Sequence, residues 1–159
     1  MSKKPREVEP LTVNVILENF RVSSFHYVEP EIIDSPLTTV NFGFTMKQFL
    51  NEDYTRLLMR PTLAIRREEE LDGSPLFEMT CVFTFKIDQP ERFVKGDEID
   101  FPKVFLAHLT GIAVSTMRGL LPAKLANTVF INLVMPLIDS SPLISKEPFK
   151  VLQVPKKIY

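Results

Sequence analysis

Apolar and polar residues alternate with period two along most of the chain up to Ile87, and the phase of that alternation slips twice near the start. Val13, Val15 and Leu17 alternate with Thr12, Asn14, Ile16 and Glu18; the apolar phase then moves to Phe20 and Val22, and again to Phe25 and Tyr27. An extra residue flips the two faces of a strand, so the slips predict one long bulged strand from Thr12 to Val28. The segment Glu29 to Pro36 is too rich in proline for a central strand and reads as a crossover connection. A second strand places Val40, Phe42, Phe44 and Met46 on one face and Thr39, Asn41, Gly43 and Thr45 on the other, and Asn51-Glu52-Asp53 makes the next turn. The third, Tyr54 to Arg67, has Leu57, Met59, Leu63 and Ile65 on one side; Pro61 inside it argues for an edge position or a bulge. After the charged run from Arg66 and the turn signal Asp72-Gly73, Phe77, Met79, Cys81, Phe83, Phe85 and Ile87 alternate with polar residues over the clearest strand of all. Consecutive strands joined by turns predict a four-stranded antiparallel sheet with one strongly apolar face.

The period then changes. Phe101, Phe105, Leu109, Ile112, Thr116 and Leu120 recur every three or four residues, predicting a helix over about 101–121 that covers the sheet, an α+β fold. Asp97, Glu98 and Asp100 suit the positive end of its dipole, Pro102 suits its first position, and Pro122 ends or breaks it. Residues 1–10 read as a flexible lead, 11–159 as a single domain, and 129–159 as an extended tail interrupted by Pro142, Pro148 and Pro155.

The opposite face of that helix carries Val104, Ala107, His108, Gly111, Val114 and Ser115, and between Lys103 and Arg118 only His108 can ionise. A lone helix on one sheet should show water a charged outer face. Some other surface is expected to cover this one, and the preferred reading is a subunit interface rather than burial under the tail, since Ala107, Gly111 and Ser115 allow close approach.

Composition narrows the function mostly by exclusion. The net charge is −1 with acids and bases interspersed along the sequence, which argues against nucleic acid as the main partner. A single cysteine, Cys81, excludes an intrachain disulfide and favours a reducing, cytoplasmic setting; Met1 to Pro10 has no apolar leader, and Val104 to Met117 is too short to span a membrane. His26, His108 and Cys81 make no metal spacing, Cys81 sits on the apolar strand face as a small hydrophobe, and no phosphate loop or nucleophile elbow is present. Glu68-Glu69-Glu70 and Asp97-Glu98 fall where solvated turns are expected. The expectation is a protein that is not an enzyme and needs no cofactor.

What the chain does supply is apolar surface: thirteen phenylalanines and six methionines. Phe25, Tyr27, Ile32 and Ile33 gather around the crossover, and Leu137, Ile138, Leu143, Ile144 and Phe149 in the tail. They read either as satellite core or as a groove for extended apolar polypeptide, with Phe25, Tyr27, Ile32, Ile33, Leu137 and Ile138 as the candidate peptide-binding residues.

The order of elements resembles SecB and its relatives: a long first strand, a proline-containing crossover, three more antiparallel strands and a long helix. The closest local similarity is the run from Leu109 to Pro122, where Arg118-Gly119 and a following proline lead into an expected extended stretch, Val129 to Pro136. The resemblance implies a holdase chaperone that binds unfolded polypeptide without ATP, assembled as a dimer of dimers with helices between sheet layers. It departs at the end, where Pro136 to Tyr159 lacks the second helix and acidic tail of the export members, which argues against docking on their translocation ATPase. Guarding another clientele, such as an antitoxin, fits equally. The competing expectations are an interaction module with one dedicated partner and a small-molecule carrier with its pocket between sheet and helix.

Overall fold

The computed structural model describes residues 12–29, 40–68 and 73–150. Four antiparallel strands, β1 (Val15–Tyr27), β2 (Val40–Leu50), β3 (Arg56–Arg67) and β4 (Phe77–Ile87), form one sheet in the order β1-β4-β3-β2. A short hairpin, β5 (Val94–Lys95) and β6 (Glu98–Ile99), leads into the helix α1 (Lys103–Leu125), and a last strand, β7 (Phe149–Lys150), returns to pair with β6. This is the α+β arrangement expected, with the crossover joining β1 to the far edge of the sheet.

The two phase slips in the first strand are two bulges. The β1–β4 register shifts between Leu17 and Asn19 and again between Val22 and Ser24. These shifts keep Val15, Leu17, Phe20, Val22, Phe25 and Tyr27 on the face that carries Phe77 to Ile87 of β4, and the Phe20 and Phe83 rings lie 4.8 Å apart. Without the bulges Phe20 and Val22 would turn to the other face.

Pro61 corrects an expectation. It lies in β3, a central strand flanked by β2 and β4. Paired residues of β3 and β4 stop at Met59↔Phe83 and resume at Thr62↔Thr80 with unchanged register, so the missing N–H is accommodated by a local gap in the ladder rather than by an edge or a bulge. The proline itself is buried on the apolar face.

The core lies between that face and α1. Phe77, Phe83, Phe85, Leu57, Met59 and Ile65 are fully buried, each contributing roughly 1.5–3 kcal/mol of apolar burial. From α1 come Leu106, Leu109, Ala113, Met117, Leu121 and Leu125. The expected stripe is therefore rotated: Leu109 is common to both, but Phe105, Ile112, Thr116 and Leu120 are only half-buried along one flank. Phe101 drew the expectation off axis. It precedes the helix and packs with Phe93, Phe105 and Phe149 in an aromatic cluster under the β5–β7 ribbon.

Both ends of α1 also differ from expectation. Asp97 and Glu98 belong to the β5–β6 hairpin, where Gly96 takes the left-handed φ of 67° that its turn requires, and Asp100 pairs with Lys95 at 2.9 Å; the first turn of α1 has no acid. Pro122 lies inside the helix, which continues to Leu125. Its ring removes the hydrogen bond to the Arg118 carbonyl, but both residues are exposed, so water can serve that carbonyl, while Leu121 and Leu125 hold the last turn in the core.

Past α1 the chain is not an extended strand. It turns through 126–132, runs without regular structure over 133–139 and forms one 3-10 turn at Ser141–Leu143. Phe130 meets Tyr27 of β1 edge to face, and Leu143 and Ile144 lie beside Phe44 and Met46 of β2, so this segment crosses from one edge of the sheet to the other.

Candidate functional site

Two surfaces hold the candidate residues. The first lies where β1 meets the end of α1. Phe25 is on the apolar side of the sheet yet remains 41% exposed; it touches Phe77 edge to face at 5.2 Å and carries the Lys124 ammonium over its other side at 5.4 Å. Tyr27 is half-buried against Phe130, and its hydroxyl is enclosed with no hydrogen-bond partner among the described residues. Val28 and Ile131 flank that contact in sequence and are both exposed. The helix packs chiefly on β3 and meets the edge strand here through Lys124, so Phe25, which follows the strand period, is left partly facing water.

Of the remaining candidates, Leu137 is 84% exposed whereas its neighbour Ile138 packs against the core, and Val134 is also exposed. Ile32 and Ile33 lie outside the described residues. The structure therefore joins Phe25 and Tyr27 in one patch with the beginning of the post-helix segment, and places Leu137 and Ile138 further along that segment, only the first of them presented to water. Sequence reasoning missed Ile131 and Val134 because no periodicity marks an irregular segment.

The second surface is the outer side of α1. Val104, His108 and Ser115 are exposed, and Ala107 and Gly111 are half-buried. Val114 is buried beside Thr110, at the border between this face and the core. Ala107, His108, Gly111, Ile112, Ser115 and Thr116 line an open depression of about 500 Å³, and a Cβ added at Gly111 would meet nothing within 4 Å. The post-helix segment reaches the start of the helix, where Ser141, Ile144 and Ser145 lie beside Val104 and Ala107 and Lys103 Nζ donates to the Ser145 carbonyl at 2.6 Å. Among the described residues nothing lies over the rest of this face. By length and composition α1 could cross a membrane, but its apolar stripe is already used against the sheet.

The chemistry available is sparse. Cys81 is fully buried in the core, and burial pushes its thiol up to about 11, only partly offset by Lys124. Among the described residues no three His, Cys, Asp or Glu side chains converge as a metal site. No protein-family model matches the chain, and no curated protein matches it.

Proposed function

We propose that this protein is an ATP-independent holdase that keeps unfolded polypeptide soluble by covering its apolar segments, and that it works as an oligomer. The observation that carries the reading is the exposure of Phe25 on the apolar side of β1, together with Val28 just past that strand and Ile131, Val134 and Leu137 along the post-helix segment. A fold with this large a buried core has no need of these side chains in water for its own stability, which leaves them free to meet apolar segments of a client. Rings and branched aliphatics on irregular backbone tolerate many client sequences.

The charge-poor outer face of α1 supports self-association through Val104, Ala107, His108, Gly111 and Ser115, in a dimer or tetramer. The order of a doubly bulged strand, a crossover, three further strands and one long helix supports a place near the SecB-like chaperones. No nucleotide, cofactor or catalytic group enters this reading.

The experiment is aggregation of a chemically unfolded client, diluted with and without the protein and without nucleotide. Suppression of light scattering for several unrelated clients supports the holdase. Binding confined to one folded partner would replace it with a dedicated interaction module.

A further inference from the structure

The face of the sheet turned away from α1 has a charge pattern that the sequence disguises. Along the sequence acids and bases alternate, but the strand period sorts them: Arg21, Lys47, Arg56, Arg60, Arg66 and Lys86 all fall on this one face, against Glu78 and the bulge residue Glu18. Acids such as Glu52, Asp53, Asp88, Glu91, Asp97 and Asp139 lie in the connections instead.

The register makes the arrangement costly. Lys47 stands directly opposite Arg60, and Arg56 directly opposite Lys86, and like charges across a ladder destabilise it. Glu18 relieves the second pair by gripping Arg56 through Nε at 2.6 Å and Nη2 at 2.9 Å. Lys47, Arg60 and Arg21 are exposed and have no carboxylate within 4.0 Å among the described residues. Arg60 is level with Val82, and Arg21 pairs with Val82, so these three cations share one transverse row.

We propose that this open sheet face docks an extended acidic segment of a partner protein. The rows set the pattern it would read. One cationic row holds Arg56 and Lys86, the other Lys47, Arg60 and Arg21, and between them runs a row of Asn19, Thr84, Leu58 and Phe49. Same-face residues on a strand are about 6.8 Å apart, and an extended ligand repeats at the same spacing. A segment lying along the strands therefore sets carboxylates at i and i+4 over the two cationic rows and an apolar side chain at i+2 over Leu58. Nucleic acid fits less well. Among the described residues the rings on the face, Phe49 and His26, lie on its two edge strands, where they cannot form the central stacking platform that single strands use, and duplex binding needs a longer basic track.

The test uses the full chain and a fluorescein-labelled peptide of repeated Glu-Ser-Leu-Ser units, read by anisotropy. The expected result is saturable binding that weakens by about tenfold or more between about 50 mM and about 300 mM salt, and by a similar factor in the K47E/R60E double variant. The Gln-for-Glu peptide should not bind, and Phe25→Ser, on the other side of the sheet, should leave the affinity unchanged, which separates this inference from the holdase reading. Far-UV circular dichroism confirms the fold of the double variant; R60Q alone, a milder change, provides the comparison if the double variant is unfolded. No saturable binding, affinity retained in the folded charge variants, or tighter binding of an oligothymidylate of equal length would overturn the proposal.

Discussion

The Lys124 ammonium sits over the Phe25 ring, 5.4 Å from its centroid, and ties the last turn of α1 to the edge strand β1. With the edge-to-face contact to Phe77 it covers part of the ring, and Phe25, 41% exposed, is held in position without being enclosed. Replacing it with serine should lower unfolding free energy by about 1–2 kcal/mol, less than the roughly 3–5 kcal/mol usual when a buried ring is lost, while weakening client binding markedly. Urea unfolding and client aggregation measured on the same variant check this. A loss of several kcal/mol would show Phe25 to be core.

Gly111 tests the outer face of α1. A Cβ added there meets nothing within 4 Å among the described residues, and arginine gains roughly 0.5–1 kcal/mol of helix preference over glycine. The folded protomer should persist while the native mass falls, read by light scattering over a range of concentrations. An unchanged mass would remove this face from the interface.

These two sites were unequally legible. The bulges of β1 were readable because apolar residues on one face must stay in phase, and each slip from Leu17 to Phe20 and from Val22 to Phe25 records an inserted residue. The core stripe of α1 was misplaced by Phe101, which shares the helical spacing but belongs to the aromatic cluster before the helix. Pro61 points to an edge or a bulge in sequence because its missing N–H is visible there, whereas a gap in the ladder is not. The exposure of Phe25 was not legible either. Its period marks it as inward-facing, and only the reach of α1 determines whether that face is covered.

Pro122 should be a site where stability can be gained. Its ring leaves the Arg118 carbonyl without a helical donor, and proline costs roughly 3 kcal/mol in a helix interior. Because Pro122 is exposed and close to the helix end, Pro122→Ala should raise stability by about 1 kcal/mol, measured by thermal unfolding. A fall would mean that the ring itself makes contacts in the assembled protein.

Cys81 predicts a pH dependence. Its folded-state thiol is held up to about 11 by burial, above the ordinary 9.0, so the folded chain keeps the proton more tightly than the unfolded chain. That contribution to stability is fully present below about pH 9 and is lost as pH rises towards 11. Cys81→Ala should flatten this part of the stability profile relative to the parent, and the parent thiol should react with a disulfide reagent only as fast as the core opens. Rapid labelling of the native protein at neutral pH would contradict the buried position.

The central claim is that apolar surface left open beside β1 holds unfolded polypeptide without chemistry. Light scattering of a chemically unfolded client, diluted into the protein with no nucleotide present, tests it most directly. Suppression of client aggregation at near-stoichiometric protein, unchanged when ATP is added, is the predicted result. Client that aggregates at the same rate and to the same extent in a several-fold excess of protein would contradict the account.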